Sequence, residues 1–537
     1  MLMPIPAKSP ARLRWIIFIV LSLLALAIRL PHLSERPMHT DEAVNAYITG
    51  QLLAGENYHY DPQDRHGPAL YLAALPIAKM AGAKKLADLS EFTVRLVPVI
   101  WGALTILLFF AVASEVGLVS ATFAALLFVV APLPVYYNRY FIHETLFVAA
   151  TLALILTGWR TLENKSNKAA VAAGVSAGFM LACKETALLH FAAFGVAGLW
   201  WGFVRRDAID RRGLHRRALI RCGLIAFAAF VLLVLALYTW GGQHWQGPLD
   251  LIRAIPRFAS RASGEGHEKA FGYYFKLLSG GAGWTVLVFS IFGVIAAFQK
   301  GRTRFSNRDS KIRVSEKSLK SERTDKTSPV SSFGSRPPPA LLLVQLLSIY
   351  GIVITLLYST IPYKTPWLAL NLWLPISLVA GFGFAVLWKK FSNRIGKAAL
   401  LLIALLVLAG LGRDTWKWCF QKPADERNPY AYSHTGEDLL RLPERLNELI
   451  AERKTTTESV IAVVAKDPWP LPWYLRKFSK VGFWQPDQKP GPADFYITSL
   501  EATENLAPQL ENWRPEFFGV RPEVLILLWT PPTADSP

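Results

Sequence analysis

The run WIIFIVLSLLALAIRLPHL at positions 15–33 decides the class of this protein. A helix needs roughly 20 apolar residues to cross a bilayer core about 30 Å thick. Continuous apolar stretches of similar length recur through most of the 537 residues, which are 52% hydrophobic and only 18% charged. Because a helix satisfies its own backbone hydrogen bonds inside lipid, the sequence predicts an α-helical protein that crosses the membrane many times.

Basic residues precede this first run, as they do in a secretory signal peptide. Lys8, Arg12 and Arg14 supply the basic start. The run is longer than a usual signal core, however, and residues 31–34 at its end offer no small-residue cleavage site. We therefore expect the run to remain in the protein as its first membrane span.

The chain carries a formal net charge of +19, which raises the question of a nucleic-acid partner. The basic residues gather in alternate loops, at 205–217 and 389–397 among others. Lys and Arg of membrane proteins concentrate in this way in the cytoplasmic loops. The charge is therefore assigned to membrane orientation, and no nucleic-acid partner is expected.

The hydropathy pattern predicts eleven crossings and an N-terminus in the cytoplasm. The predicted spans are residues 15–33, 94–113, 120–137, 144–160, 168–183, 185–204, 218–239, 284–298, 340–360, 367–388 and 397–412. An odd number of crossings leaves the C-terminus outside. We therefore expect a protein of the cell's inner (plasma) membrane, with a transmembrane domain at 1–412 and an extracytoplasmic domain at 413–537.

Two segments have the composition of soluble chain. Residues 300–339 are rich in Ser, Lys and Arg and almost lack large apolar residues. They are predicted to form a disordered cytoplasmic loop, either a solvated connector or a contact for anionic lipids. In the C-terminal part, short apolar runs at 460–465, 494–498 and 524–529 alternate with helical patterns, which predicts a small α/β domain.

The first external loop, residues 34–93, carries the sharpest local signal, His-Thr-Asp-Glu-Ala at positions 39–43. Thr40 is predicted to cap a helix that begins at Asp41, which places both carboxylates at the positive end of the helix dipole. Successive helical residues point about 100° apart, so Asp41 and Glu42 cannot act as one dyad. One of them can take a proton while the other binds substrate or orients a neighbour. The alternative is that acidic residues simply favour a first helical turn.

Further polar residues stand at the external ends of the predicted spans. They are His66, Arg139, His143, Glu144, Lys184, Glu185, Tyr363 and Lys364. Ionisable residues at a membrane boundary often serve as anchors, which is the alternative interpretation of each. Because the predicted topology puts all of them on one side, we expect them to form a site together with Asp41 and Glu42.

These features together resemble the GT-C glycosyltransferases. The resemblance rests on the acidic pair after the first span, the His-Gly-Pro turn at 66–68, the stretch at 139–144, and the multispan body with an external C-terminal domain. The chain is most similar to the branch of protein O-mannosyltransferases and aminoarabinose transferases, and within it to a prokaryotic family named for association with flippase activity in glycosylation. The resemblance covers roughly residues 10–410.

The resemblance implies a sugar donor on a polyprenyl phosphate, a protein or glycolipid acceptor, and inverting transfer on the extracytoplasmic side. It implies Asp41 as the general base, with Glu42 and Glu144 as further acidic groups of the catalytic site. A base near the anomeric carbon removes the proton of the acceptor.

The expected substrate-binding residues follow from the same resemblance. Lys364, Arg139 and Lys184 would neutralise the leaving phosphate, because a fixed cation stabilises the charge that develops on it. The remaining residues expected to bind substrate are His66, His143, Glu185 and Tyr363.

The resemblance leaves dependence on a divalent cation open. Asp41, Glu42 and His143 could supply ligands, but nothing in their spacing requires it, and no metal site is predicted. The three cysteines are scattered and show no metal-ligand spacing.

Two other functions remain open. A transporter or flippase of lipid-linked sugars needs polar groups or broken helices near the middle of the membrane, and the last four predicted spans contain no charged residue away from their ends. A non-catalytic scaffold of a glycosylation complex would keep the fold alone. The presence of Asp41, Glu42, Glu144 and Lys364 argues against lost activity.

Overall fold

The computed structural model describes residues 10–210, 214–264, 266–299, 338–452 and 458–532, without the side chains of 207–210 and 214–215. The predicted disordered loop at 300–339 therefore lies outside the described residues, except for its last two positions. The described chain forms a helical body followed by a small domain that contains a β-sheet.

Sixteen helices build the body within the described residues. They are α1 (Ala11–Arg29), α2 (Thr40–Leu53), α3 (Ala69–Met80), α4 (Glu91–Val116), α5 (Leu118–Val130), α6 (Pro132–Tyr137), α7 (Glu144–Asn164), α8 (Asn167–Cys183), α9 (Ala187–Asp210), α10 (Leu214–Tyr238), α11 (Gly247–Arg261), α12 (Tyr273–Ser279), α13 (Gly283–Phe298), α14 (Pro339–Thr360), α15 (Ala369–Lys390) and α16 (Arg394–Thr415). A π-helical turn, Trp416–Gln421, continues α16.

Every predicted span overlaps a helix, but the helices differ in length. Among the described residues, eight are long and apolar enough to cross a membrane, or nine if α12 and α13, which meet at 105°, count as one broken span. The predicted spans 120–137 and 168–183 fall on shorter apolar helices, α5 and α8. Helix α5 stops because Ala131 precedes Pro132 and takes the extended conformation that a following proline favours.

Helix α15 lies at the centre of the body and is the most buried candidate span. Glycines allow its neighbours to approach closely. A Cβ atom at Gly383 would lie 2.3 Å from the carbonyl oxygen of Phe289 in α13, and one at Gly381 would lie 2.3 Å from that of Ser120 in α5. Small residues at such crossings let helix backbones pack against each other in lipid.

Arg29 at the end of α1 fixes the segment that leads to α2. Its buried guanidinium donates to the carbonyl oxygens of Phe128 (2.8 Å) and Val129 (3.2 Å) at the end of α5, and to Asn138 Oδ1 (3.0 Å). These are carbonyl groups that a helix end leaves unpaired. The contact brings the residues after α1 against the break between α5 and α6.

The C-terminal domain carries one mixed sheet, as the predicted α/β character requires. Its strands are β1 (Val460–Val464), β2 (Lys480–Trp484), β3 (Phe495–Ser499), β4 (Arg514–Arg521) and β5 (Val524–Thr530), in the order β2-β1-β3-β5-β4. Strand β1 is parallel to β2 and β3, and β5 is antiparallel to β3 and β4. Helices α17 (Arg441–Glu452), α18 (Leu471–Tyr474) and α19 (Leu500–Leu506) complete the domain.

This domain docks on the body beside the start of α2. The hydroxyl of Tyr474 accepts from the backbone N–H of Met38 (2.9 Å), and the hydroxyl of Thr435 donates to the carbonyl of Met38 (2.6 Å). The indole of Trp473, which is fully buried, donates to Glu91 at the start of α4 (2.7 Å). The domain therefore covers the end of the bundle where α2 begins.

We expect Gly383→Ala to lower the melting temperature (Tm) of the detergent-solubilised protein, because the new Cβ would overpack the backbone of α13 at a cost of about 1–3 kcal/mol. Gly198→Ala in α9 is the matched control, since nothing lies within 4 Å of its added Cβ. Equal Tm values for the two variants, measured by thermal unfolding, would contradict the close crossing of α13 and α15.

Candidate active site

A cavity of about 820 Å³ opens where the loops at one end of the bundle meet the C-terminal domain. Seven of the ten residues expected to form the site line it: Asp41, His66, His143, Glu144, Lys184, Glu185 and Tyr363. Glu42, Arg139 and Lys364 do not. The cavity is walled by polar loop residues on one side and by apolar residues of α9, α11 and α14 on another.

The start of α2 differs by one residue from the prediction. His39, not Thr40, is the N-cap: its backbone is extended and its Nδ1 accepts from the backbone N–H of Asp41 (3.0 Å). The side chain of Glu42 accepts in turn from the backbone N–H of His39 (3.2 Å), which completes a capping box. His39 Nε2 donates to the carbonyl of Tyr432 (3.0 Å), so the imidazole is held at both nitrogens.

Glu42 points away from the cavity into a buried ion cluster. Its carboxylate accepts from Arg95 at 2.8 and 2.9 Å, from Arg36 at 3.2 Å, and from the backbone N–H of Phe141 at 2.9 Å. Burial alone would raise the pKa of Glu42, but the two guanidinium groups and the backbone donor hold it well below its usual range. Its acceptor sites are thus occupied, and Glu42, expected as a further acidic group of the catalytic site, does not line the cavity.

Asp41 projects into the cavity from the same helical turn. Its side chain is half-buried, and within the described residues no hydrogen bond or ion pair involves its carboxylate. Burial lowers the pKa of His267, which also lines the cavity, and the negative charge of Asp41 opposes that shift. Asp41 therefore offers a carboxylate whose oxygens are open to a ligand.

Glu144 and Lys184 form an ion pair on the cavity wall. Glu144 begins α7 and Lys184 follows the last residue of α8, and Lys184 Nζ lies 2.6 Å from Glu144 Oε1. Both side chains are at most one-tenth exposed. The pair leaves Lys184 with ammonium protons beyond the one given to Glu144, because a lysine carries three.

A hydrogen-bonded chain of three residues forms the neighbouring wall. His66 Nδ1 donates to Glu185 Oε2 (2.9 Å), and the hydroxyl of Tyr60 donates to Glu185 Oε1 (2.5 Å). Burial alone would raise the pKa of Glu185, but His66 and these hydrogen bonds lower it. Glu185 thus fixes the orientation of the His66 ring against the cavity.

His143 packs edge-on against His66, with ring centroids 5.4 Å apart. Burial, and then the charges of His66 and Lys184, lower the pKa of His143 well below its ordinary value. The ring is therefore neutral at pH 7, and its Nε2 donates to the carbonyl of Gly67 (3.2 Å).

An aromatic wall of the cavity lies beside the start of α2, where Trp367 and the backbone of Tyr432 contact His39. A hydrogen bond of 2.6 Å joins His267 Nδ1 to the hydroxyl of Tyr432, and the rings of His267 and Tyr363 lie 4.8 Å apart. Trp367 closes this wall against Tyr432, with ring centroids 6.1 Å apart. Such rings suit the apolar faces of a sugar.

Lys364 and Arg139 occupy other places than expected. The ammonium of Lys364 donates to the backbone carbonyls of Lys269 (3.0 Å) and Ile361, and burial lowers its pKa. Arg139 donates to the carbonyls of Pro31, His32 and Cys419 on the far side of the Glu42 cluster. The expectation that either cation lines the site is therefore corrected. The sequence did not show that backbone carbonyls from distant parts of the chain would bind these two side chains.

The structure adds cations that the sequence analysis did not select. Arg257 and Arg261, on α11, line the cavity, and Arg261 Nη2 lies 3.2 Å from Asp64 Oδ1 at the rim. The two arginines stand four residues apart in an amphipathic stretch, which places them on the same face of a helix. This spacing is the sequence signal by which they could have been selected. Asp467, Trp469 and Arg521 of the C-terminal domain also line the cavity.

Two of the three side chains that could supply metal ligands, those of Glu42 and His143, have other partners. Glu42 is held by two arginines, and His143 uses its Nε2 on Gly67. Among the residues that the structure describes, no group of three or more His, Cys, Asp or Glu side chains could hold a metal ion.

Comparison with known proteins agrees with this architecture. A family model described as dolichyl-phosphate-mannose-protein mannosyltransferase matches residues 77–235. No curated protein matches the chain in sequence. The solved structure of ArnT from Cupriavidus metallidurans bound to undecaprenyl phosphate is similar, with a TM-score of 0.59, 15% identity, and coverage of 96% of this chain and 97% of that one.

A second similar structure comes from an archaeon. It is the oligosaccharyltransferase AglB from Archaeoglobus fulgidus in complex with an inhibitory peptide and a dolichol-phosphate. Its TM-score is 0.53 at 12% identity, over 98% of this chain and 75% of that chain. The chain therefore has the GT-C fold, as the sequence resemblance implied.

We expect Glu42→Gln to destabilise the protein by roughly 3–5 kcal/mol, because it leaves Arg36 and Arg95 buried without a counter-charge. Asp41→Asn should leave Tm nearly unchanged, since it breaks no contact of the described residues. Thermal unfolding of both variants in the same detergent tests this. A loss of Tm in Asp41→Asn as large as in Glu42→Gln would show that Asp41 is not free.

Proposed function

We propose that this chain is an inverting membrane glycosyltransferase, which moves a sugar from a polyprenyl-phosphate donor to an acceptor at the extracytoplasmic face of the membrane. The observation that carries this proposal is the carboxylate of Asp41, which has no hydrogen-bond or ion-pair partner among the described residues and lies in a cavity also lined by Lys184, Arg257 and Arg261. The GT-C fold and the lipid phosphates bound by ArnT and AglB support the choice of donor.

The pairing of the cavity carboxylates favours a single displacement, in which the acceptor attacks the sugar directly. Glu144 is paired with Lys184, Glu185 with His66 and Tyr60, Asp64 with Arg65 and Arg261, and Asp467 with Arg521. Within the described chain, Asp41 is thus the one cavity carboxylate without a partner. A retaining mechanism needs a second carboxyl group as nucleophile, whereas direct attack by the acceptor needs only one base.

In the proposed step, the acceptor's hydroxyl or amine attacks the anomeric carbon. The bond from the anomeric carbon to the phosphate oxygen breaks, and its electron pair leaves with the phosphate. The acceptor proton passes to the carboxylate of Asp41. Glu42 does not exchange protons here; it positions Asp41 through the cap of α2.

The leaving phosphate gains negative charge and needs fixed cations. Lys184, Arg257 and Arg261 line the cavity, and His66 is oriented toward it by Glu185. Fixed donors in a site shielded from water stabilise developing charge strongly. These groups replace Arg139 and Lys364 in the phosphate-binding role.

The apolar wall suits the polyprenyl chain. Leu188, Leu189, Ile255, Phe258 and Ile361 line it, and they come from α9, α11 and the end of α14. Helices α9 and α14 are candidate membrane spans, so this side of the cavity continues into the apolar layer of the bundle.

The C-terminal domain, residues 413–537, lies on the acceptor side in this proposal. Its Asp467, Trp469 and Arg521 line the cavity beyond the membrane body, residues 1–412. An acceptor that enters from this side reaches Asp41 without crossing the lipid-facing wall. A protein and a glycolipid acceptor both fit such a polar rim.

We expect Asp41→Asn to reduce sugar transfer by about 100-fold or more, because a general base contributes roughly 10²–10⁴ to the rate. Purified protein is given a panel of radiolabelled polyprenyl-phosphate sugars together with acceptor-containing membranes, and release of polyprenyl phosphate is measured. Asp61→Asn, an exposed carboxylate outside the cavity, is the control.

Two results would overturn this assignment. Equal donor consumption by wild type and Asp41→Asn would remove Asp41 as the base. Movement of intact donor across a proteoliposome membrane, with no cleavage in any arm, would favour the flippase alternative.

We expect Arg261→Gln to raise KM for the donor by roughly 3- to 10-fold with little change in kcat, since it removes one charge-assisted contact to the phosphate. Arg253→Gln, on the same helix but outside the cavity, should leave both constants unchanged. Initial rates over a range of donor concentrations decide the matter. An equal rise of KM in both variants would indicate a general effect of charge on α11.

A further inference from the structure

A second, smaller cavity of about 120 Å³ lies behind the Glu42 cluster. It is lined by His32, Leu33, Glu35, Arg36, Arg95, Arg139, Cys419, Phe420, Gln421, Pro423 and Glu437, none of which lines the larger cavity. It lies beyond the end of α1 and beside the π-helical turn that ends the candidate span Arg394–Gln421. The small cavity therefore stands at the membrane boundary.

Positive charge is in excess around the small cavity. The side chains of Arg36, Arg95 and Arg139 are 7%, 1% and 7% exposed, and Glu42 is the one carboxylate buried with them in the described chain. Three guanidinium groups against one carboxylate leave two positive charges without a buried counter-charge. Buried charges without partners are costly.

Hydrogen-bond donors are also in excess. Arg95 places all of its N–H groups on Glu42 and on the carbonyls of the 33–37 segment. The Nε atoms of Arg36 and Arg139 are buried and have no acceptor among the described residues. A buried donor without a partner is rare in a folded protein and calls for a missing acceptor.

The other polar groups at the cavity do not supply that acceptor. Glu35 and Glu437 line its mouth, but both are exposed, and the carboxylate of Glu35 is hydrogen-bonded to His32 (2.5 Å). Burial, and the positive charges of Arg36 and Arg95, lower the pKa of Arg139 to about 10. Burial is the larger cause of this shift, and the two neighbouring arginines add to it.

We propose that the small cavity binds a phosphate group, carried either by an anionic lipid or by free inorganic phosphate, as a site separate from the donor site. Phosphate oxygens accept from guanidinium groups, and Arg36 and Arg139 both line the cavity with a buried Nε that lacks an acceptor among the described residues. A phosphate would also supply negative charge. The cavity has room for several water molecules, which is the scale of one phosphate group. This site does not depend on the transfer reaction.

The test uses the full-length protein purified in neutral detergent. Its Tm is followed as inorganic phosphate replaces chloride at constant ionic strength. We expect a saturable rise of about 2 °C or more, because a ligand bound only by the folded state stabilises it. Gln421→Glu places a negative charge at the mouth without removing any contact of the buried arginines, and should abolish the rise.

Control variants separate this site from the donor cavity. Gln421→Asn should keep the rise, since it adds no charge, and Arg261→Gln should keep it too, since it changes only the larger cavity. A second arm reconstitutes each protein in nanodiscs of phosphatidylcholine with or without phosphatidylglycerol, and native mass spectrometry counts the retained lipids.

Each outcome has a fixed meaning. Retention of phosphatidylglycerol by wild type but not by Gln421→Glu identifies a lipid as the source, and a Tm rise without such retention identifies free phosphate. A rise that persists in Gln421→Glu, or the absence of both a rise and selective retention in wild type, would overturn the proposal.

Discussion

The buried carboxylate of Glu42 holds three parts of the chain together. It joins the segment after α1 through Arg36, helix α4 through Arg95, and the turn before α7 through the backbone of Phe141. A buried carboxylate such as this one stays ionised only because two guanidinium groups surround it. Asp41 is the preceding residue on the same helix, so the cluster that fixes Glu42 also fixes the direction of Asp41. The direction of the Asp41 carboxylate in the cavity is thus a consequence of the buried contacts of Glu42.

The contrast between paired and open charges gives the larger cavity its chemistry. Ion pairs and hydrogen bonds fix Glu144, Glu185 and His66 in single orientations, which is what a preorganised site requires. The carboxylate of Asp41 has no hydrogen-bond or ion-pair partner within the described residues, so in the proposed reaction it can accept a proton without first breaking a contact. A cavity with all its carboxylates paired would bind a charged donor but would lack a base.

Much of this architecture could be predicted from the sequence, because membrane spans are long and their periodicity is plain. The GT-C fold, the helix predicted from Asp41, which begins one residue earlier at Thr40, and the α/β character of the last domain are confirmed. Strands β2 and β4 escaped prediction because neither is a continuous apolar run: no residue of β2 is buried, and in β4 only Phe518 and Val520 are. The site was harder, since Arg139 and Lys364 point at backbone carbonyls that lie far away in sequence. The hydropathy pattern predicts at which end of the bundle a residue lies. The direction of its side chain depends on partners that are distant in sequence and come close only in the folded protein.

The segment from Met38 to Glu42 connects all the parts discussed. Met38 is hydrogen-bonded to Tyr474 and Thr435 of the C-terminal domain, His39 to the backbone of Tyr432, and Glu42 to the arginines beside the small cavity. Both cavities are therefore built against one short stretch of backbone, in which Met38, His39 and Glu42 make polar contacts to other parts of the chain. The carboxylate of Asp41 makes none within the described residues. Because the C-terminal domain and the wall of the small cavity both contact these five residues, a movement of either one would also move the proposed base.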